Sequence, residues 1–330
     1  MPEIVQFTHP GAELASDSTD GGHKSWNKGP HRRKFMRTIG DYVDGRNCLT
    51  HDVSLLFWGE WEPPSDVTSL GKPSDLWHPR WLHDPYLPNQ IQSRRSNSQD
   101  DCTCLGGCGK GGNETSYQNT DPFVFDGSFK YFICKQSKKE YSQTTRLAKL
   151  ERGSMILFGS TFGTDRAKAF FQLDTVFIVA DWIEYNPSDL RSLRSHQEVS
   201  RMYDQVVVSK VSLPVSNKVT KLRLYRGATF VHPVNNMYSF SPARICAASP
   251  VGFPRVRLAT KPFLTNNLNS SPKSTSLSLD EIQQAWMDVR NESRAQGCVE
   301  GVRFTLHNQL DRSRGSEATP SAPLGVSVAP

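Results

Sequence analysis

The feature that most constrains the fold is a long apolar run near the middle of the chain, Ala169–Ile183. It is rich in β-branched and aromatic residues, which favour strands over helices, so it predicts one long buried strand or two shorter ones. A shorter apolar run, Ser154–Phe158, lies between two glycines that interrupt regular structure. A third run, Val53–Trp61, predicts another strand, which ends at a pair of prolines. The core is therefore expected to consist mainly of strands.

The rest of the chain predicts how this core is extended. Ile282, Trp286 and Val289 are spaced four and three residues apart and give a helix one apolar face. We therefore predict an α+β fold with a strand-rich, barrel-like core and a helical C-terminal segment. The expected divisions are an irregular lead-in at 1–22, a main domain at 23–260 with a Cys- and Gly-rich insertion at 101–120, a linker and helix packed on that domain at 261–310, and a disordered tail at 311–330.

The sequence argues against several classes of protein. No stretch reaches the ~18 apolar residues of a membrane helix, and the first residues lack the charged start and apolar run of a secretory signal. Seven cysteines in 330 residues are an odd number in a long chain, unlike a small disulfide scaffold. The Gly-rich segment does not fit the phosphate loop of nucleotide triphosphatases. These features predict a cytoplasmic protein with mostly reduced thiols and no membrane partner.

Positive charge is concentrated in residues 23–46, which contain seven Lys and Arg and two Asp and so have a net charge of +5. The whole chain has a formal charge of +6, so the distribution is uneven. A concentrated basic patch attracts phosphate backbones, whereas the alternative is an ordinary solvated surface. We predict that DNA, RNA or a modified nucleotide is the partner, and that its phosphates contact Lys28, Arg32, Arg33, Lys34 and Arg37.

Tryptophan is crowded into the same part of the chain, since five of the seven fall between residues 26 and 81. Aromatic rings stack on nucleobases beside cationic phosphate contacts. Trp58, Trp61, Trp77, Trp81 and Arg80 are therefore predicted to join the nucleic-acid-binding surface. The alternative is that these tryptophans pack in the core, as large aromatic residues often do.

A candidate for acid–base chemistry lies in the same region. Glu60 and Glu62 flank Trp61, and on a strand both would point to the face opposite Trp61. Together with His78 they form the predicted catalytic group, because carboxylates and imidazoles are the usual groups in proton transfer. The alternative is that both glutamates simply face solvent.

A cysteine cluster lies in the Gly-rich insertion, where Cys102, Cys104 and Cys108 are spaced as C-x-C-x3-C. Three thiolates at this spacing fold around one zinc ion when a fourth ligand joins them, and Cys134 or a histidine would serve. The cofactor prediction is a structural zinc held by these three cysteines and Cys134. The alternative is a Gly-rich loop without a ligand.

The segments Leu150–Phe158 and Phe171–Val179 resemble a pattern in PUA-like barrels, a superfamily that includes the ASCH and EVE modules. In that pattern a glycine-containing turn enters one apolar strand and a second apolar strand follows. The strand around Leu55–Trp58 would suit the same barrel. The chain also broadly resembles proteins grouped as nucleotide-modification-associated domains. The resemblance implies that a modified or flipped base is bound in an aromatic pocket.

Three functions follow from these features. The first is a nucleic-acid or nucleotide-binding module, associated with base modification or phage defence. The second is an enzyme that acts on a nucleotide or nucleic acid through Glu60, Glu62 and a nearby histidine. The third is a scaffold that binds another protein through its aromatic loops. Steep salt dependence of binding would separate the first from the third, because phosphate contacts release counterions.

Overall fold

The computed structural model describes residues 1–9, 23–24, 33–63, 65–71, 78–87, 120–138, 143–162, 169–211, 218–259, 261–264 and 272–308. Several residues selected from the sequence lie outside these ranges, namely Lys28, Arg32, Trp77, Cys102, Cys104 and Cys108. The tail at 311–330 and nearly all of the insertion at 101–120 also lie outside them.

Within the described ranges the chain forms fifteen strands and three α-helices. The strands are β1 (Glu3–Thr8), β2 (His23–Lys24), β3 (Lys34–Val43), β4 (Leu49–Gly59), β5 (Ser65–Ser69), β6 (Trp81–Leu87), β7 (Lys130–Tyr131), β8 (Met155–Phe162), β9 (Phe170–Tyr185), β10 (Leu222–Gly227), β11 (Ser241–Ile245), β12 (Val256–Leu258), β13 (Lys273–Ser276), β14 (Val299–Thr305) and β15 (His307–Asn308). The helices are α1 (Arg191–Arg194), α2 (Arg201–Val206) and α3 (Leu279–Ala295).

The first sheet holds seven strands in the order β13-β1-β8-β9-β10-β7, with β12 also paired to β9. Its centre is the parallel pair β1–β8 and the antiparallel hairpin β8–β9. The apolar run in the middle of the sequence belongs to a single strand, β9, of 16 residues. The hairpin shifts register at Gly159, where a Cβ atom would lie 2.0 Å from the carbonyl oxygen of Gln172. Glycine is required there because the two backbones approach so closely.

The second sheet holds eight strands in the order β14-β11-β4-β3-β6-β5-β2, with β15 also paired to β6. Strand β14 pairs with both β11 and β3, so β3, β4, β11 and β14 form a closed ring of pairings. The two sheets meet where Val176 of β9 exchanges backbone hydrogen bonds with Phe240, just before β11.

Helix α3 packs against both sheets. It begins with a capping box in which the side chains of Ser278 and Glu281 bond each other's backbone N–H groups. The apolar face predicted from the sequence, Ile282, Trp286 and Val289, is buried in a core cluster that includes strands of both sheets. The predicted helix is thus confirmed, and its amphipathic pattern explains where it packs. Among the described helices, none is long and apolar enough to span a membrane.

The strand-rich α+β class is confirmed, with the strands arranged in two mixed sheets. A PUA-like barrel stays a prediction. The irregular lead-in predicted at 1–22 is wrong for Glu3–Thr8, because these residues form the buried strand β1. The neighbours of β1 are β8 and β13, which lie far along the chain, so no local pattern reveals the pairing.

Candidate functional site

Polar residues from both sheets meet where several strands begin or end. His9 follows β1, and its backbone N–H donates to the backbone carbonyl of Gly159 in the parallel neighbour β8. Glu60 follows β4 and Arg33 precedes β3, so the antiparallel β3–β4 pairing brings these two residues together. Asp174 reaches the same place from β9. Strands therefore place these side chains, although the residues are far apart in sequence.

Cys134, His9 and Glu60 form a linear array of side chains. The Cys134 Sγ atom lies 3.4 Å from Nε2 of His9, and Nδ1 of the same ring hydrogen-bonds the Glu60 carboxylate. The exposed fractions of the three residues are 4%, 6% and 3%, so the whole array is buried. A thiol, an imidazole and a carboxylate in this order make the contacts of a nucleophile, its base and the group that orients the base.

The loop that carries Cys134 is held by one buried carboxylate. Asp121 accepts hydrogen bonds from the backbone N–H groups of Phe132, Ile133 and Cys134, at 2.7, 2.8 and 2.8 Å. The Tyr131 hydroxyl donates to the carbonyl oxygen of Cys134 at 2.6 Å. Charge-assisted hydrogen bonds of this kind are strong, so the thiol is fixed in position by its own loop.

Arg33 joins the array to a second pair of charges. Its Nη1 atom lies 2.5 Å from the Glu60 carboxylate, and its Nε atom lies 2.9 Å from the Asp174 carboxylate. Asp174 is also 3.6 Å from Nη1 of Arg255. The Arg255 guanidinium in turn donates to the side-chain oxygen of Gln172 at 2.5 Å. Ion pairing offsets the burial of these charges, but among the described residues neither oxygen of Asp174 and neither Nε nor Nη2 of Arg33 has a partner with hydrogen-bond geometry.

Burial sets the protonation states in the site. Desolvation lowers the pKa of His9 to about 4, with Arg33 and Lys135 acting in the same direction and Glu60 opposing them. The ring is therefore neutral near pH 7 and carries one N–H. Because Nδ1 faces a carboxylate that is paired with Arg33, that N–H belongs on Nδ1 and leaves Nε2 as an acceptor toward the Cys134 thiol. Burial also raises the pKa of Asp174, against the opposing charges of Arg33 and Arg255.

The predicted catalytic residues divide into two groups. Glu60 lies in the array, and Glu62 is buried close enough to Arg33 to affect the pKa of its guanidinium. The backbone N–H of Glu62 donates to the Thr120 hydroxyl at 3.1 Å. The alternative, that these two glutamates face solvent, is wrong because both are buried. The histidine that contacts Glu60 is His9, which the sequence had not singled out, and His78 is a half-buried residue before β6.

Four of the predicted nucleic-acid contacts are buried inside the protein. Arg33 and Lys34 are 1% and 0% exposed. Trp58 donates its Nε1–H to the carbonyl of Phe253 at 2.7 Å, and Trp61 is 0% exposed. The prediction of surface phosphate contacts and stacking platforms is wrong for these four residues. Trp58 lies on β4 and Trp61 lies two residues after its end, and both pack in the core, as the alternative interpretation of the tryptophans has it.

Three further predicted contacts remain at or near the surface. Arg37 is half-buried. Its Nε and Nη2 atoms each donate a hydrogen bond to the Asp84 carboxylate, both at 2.8 Å. Arg80 is exposed and Trp81 is half-buried at the start of β6. Contact of these residues with a nucleic acid stays a prediction, as it does for Lys28, Arg32 and Trp77 outside the described ranges.

The zinc site also stays a prediction, because three of its four cysteines lie outside the described residues. Within the ranges that are described, no group of three His, Cys, Asp or Glu side chains is placed to hold a metal ion. The fourth predicted ligand, Cys134, contacts the His9 imidazole.

One signal in the sequence points to this site. Asp174 lies in the buried, mostly apolar part of β9, and a charge in such a stretch implies a buried partner. His9 and Glu60 each follow directly after the buried end of a strand. The Cys134–His9 contact has no local signal, because 125 residues separate the two.

Comparison of the chain with known protein families, with curated proteins and with solved structures found no match. The fold and the site therefore define the chain as a strand-rich α+β protein with a buried Cys–His–Glu array between its two sheets.

Proposed function

We propose that the chain is an enzyme that acts on a nucleotide or nucleic acid, with Cys134 as nucleophile, His9 as general base and Glu60 as the residue that orients His9. The observation that carries the proposal is the continuous line of contacts from the Cys134 thiol through both ring nitrogens of His9 to the Glu60 carboxylate, which also pairs with Arg33. This order of groups is what thiol-dependent acyl transfer requires.

The chemical step is a displacement at an electrophilic sp2 carbon of the substrate. His9 Nε2 takes the thiol proton as Cys134 Sγ bonds to that carbon. The imidazolium, stabilised by Glu60, then gives the proton to the leaving group as its bond to the carbon breaks. Water, deprotonated by His9, adds to the thioester-type intermediate, and the thiol departs with the proton restored. The net reaction is hydrolysis, or transfer when another acceptor replaces water.

The nucleotide substrate is inferred from the sequence. The basic residues of segment 23–46 other than the buried Arg33 and Lys34, and the resemblance to PUA-like and nucleotide-modification-associated proteins, support a substrate that carries a base and a phosphate. A role in base modification or phage defence would suit such a substrate.

The first test of the proposal is alkylation of the thiol. Iodoacetamide should convert Cys134 to its carboxamidomethyl derivative in the native protein, releasing iodide and a proton, and peptide mass analysis would locate the label. His9→Gln should slow this reaction about 10²–10⁴-fold, the usual contribution of a general base. Cys298→Ser is the matched control, because Cys298 is also buried but contacts Arg244 and Ser293.

The second test is turnover of nucleotides, modified nucleotides, DNA and RNA, with products identified by mass spectrometry. We expect wild-type protein and Cys298→Ser to form product, and Cys134→Ser to bind the same substrate without turnover. The proposal fails if no substrate is turned over and if Cys134 in the folded wild-type protein reacts no faster than in His9→Gln. The array would then be a structural part of the core.

A non-catalytic nucleic-acid-binding module is the second candidate, favoured by the exposed Arg80 next to the half-buried Trp81. Its signature would be binding that weakens steeply with salt, is reduced by Arg80→Ala and is unchanged by Cys134→Ser, with no product formed.

A further inference from the structure

We propose that Arg33 is a positioning residue of the array, whose guanidinium holds the Glu60 carboxylate in the orientation that gives His9 a single tautomer. The effect of Arg33 on catalysis rests on the proposed function, whereas its effect on the His9 tautomer does not.

The contacts of Glu60 show why a second partner is needed. One carboxylate oxygen, Oε1, receives both the His9 Nδ1–H and the Arg33 Nη1–H. A buried carboxylate with only a neutral imidazole as partner would be poorly compensated for the loss of water. The Arg33 cation supplies that compensation and leaves the Glu60 carboxylate as the acceptor for the Nδ1–H of the ring.

Arg33 is itself fixed by residues of the other sheet. Its Nε atom is paired with Asp174 of β9, and Asp174 is paired with Arg255, which precedes β12. Arg255 bonds the side chains of Ser160 and Gln172, on β8 and β9, both at 2.5 Å. Glu60 follows β4 of the second sheet. Its orientation is therefore set by a series of charged side chains that ends at residues of the first sheet.

The geometry of a guanidinium suits this role better than that of an ammonium. Arg33 lies within ion-pair distance of two carboxylates at separate nitrogens of one rigid plane, with a hydrogen bond to Glu60 and a charge contact without hydrogen-bond geometry to Asp174. A lysine at this position would keep the positive charge but lose the fixed directions of the guanidinium N–H donors.

The charges that face His9 are Glu60, Arg33 and Lys135, and the thiol of Cys134 lies at its other nitrogen. The Lys135 ammonium donates to the Thr8 carbonyl at 2.9 Å and so lies beside the ring. Of these groups, only Glu60 accepts from Nδ1. Any change that releases Glu60 should therefore allow the proton to move to Nε2, which would block the acceptor that the thiol needs.

The test compares Arg33→Lys, Asp174→Asn and wild-type protein, each labelled with ¹⁵N-histidine, with His9→Gln to assign the His9 signals. Arg226→Lys is the matched control, because Arg226 of β10 also binds two carboxylates, those of Asp181 and Glu198, but at a partly exposed position. We expect the wild type and the control to show only the Nδ1–H tautomer. Arg33→Lys and Asp174→Asn should show mixed tautomers and alkylate Cys134 about 10–100-fold more slowly, as is typical for loss of a supporting partner.

The inference is overturned if folded Arg33→Lys and Asp174→Asn keep the single tautomer and the wild-type alkylation rate. Asp174→Asn decides the question alone if Arg33→Lys does not fold. A shift of tautomer without any His9-dependent alkylation would support the positioning role and contradict the proposed function. Alkylation that depends on His9 but not on Arg33 or Asp174 would support the proposed function and contradict the positioning role of Arg33.

Discussion

The buried His9 imidazole should make the protein sensitive to acid in a defined pH window. Its pKa is about 4 in the folded protein, against an ordinary value of 6.5. Between these values the unfolded chain binds a proton that the folded protein excludes, so acidification favours unfolding. The stability linked to His9 is fully present above pH 6.5 and is lost as the pH falls toward 4. Relative to pH 7, the loss from this one group is roughly 2 kcal/mol at pH 5 and roughly 3 kcal/mol at pH 4.

The assay is urea unfolding of wild-type protein and His9→Gln at several pH values between 7 and 4. Carboxylates titrate in the same range, so the informative quantity is the difference in the free energy of unfolding between the two proteins. Glutamine keeps a polar side chain but takes up no proton, and the wild-type advantage should therefore shrink toward pH 4. If that difference is independent of pH, or if the His9 ring titrates near 6.5 by NMR in the folded protein, the reasoning about its burial is wrong.

Two further predictions concern stability. Glu300→Gln should lower the free energy of unfolding by about 3–5 kcal/mol, because Glu300 is 0% exposed and pairs with two arginines of α3, and breaking a buried pair leaves uncompensated charge. Glu184→Gln, at an exposed pair, should cost less than about 1 kcal/mol by the same urea assay, and similar losses in both variants would contradict this reasoning. Gly159→Ala should cost about 1–3 kcal/mol through the clash of its Cβ with the Gln172 carbonyl. Gly45→Ala, where no atom lies within 4 Å of the added Cβ, is its control, and an unchanged midpoint for Gly159→Ala would refute the steric argument.

Local patterns predicted the elements whose signals are local. The run at 169–183 contained enough β-branched and aromatic residues to identify β9, and the spacing of Ile282, Trp286 and Val289 identified α3. Strand β1 was missed because six residues carry little periodic signal, and its stability comes from β8 and β13. Propensity cannot show a strand that depends on distant partners in this way.

The candidate site was predicted only in part, for a related reason. Glu60 was selected because it lies in a region rich in charge and aromatic residues, yet its function depends on His9 and Cys134, which only the fold brings near. Trp58 and Trp61 were taken as stacking platforms because composition does not distinguish a buried aromatic ring from an exposed one. The burial of Trp58 follows from the pairing of β4 inside the second sheet, and Trp61 is buried just beyond the end of that strand.

The position of β1 between β8 and β13 has a consequence for how the chain folds during synthesis. Pairing with β8 requires residues up to Phe162, and pairing on the other edge requires residues up to Ser276. At ribosomal rates of about 5–20 residues per second, β1 would wait roughly 8–30 s for its first neighbour. An apolar strand with two unpaired edges is a target for misassembly during that time. The nascent chain is therefore expected to depend on chaperones until the first sheet closes around β1.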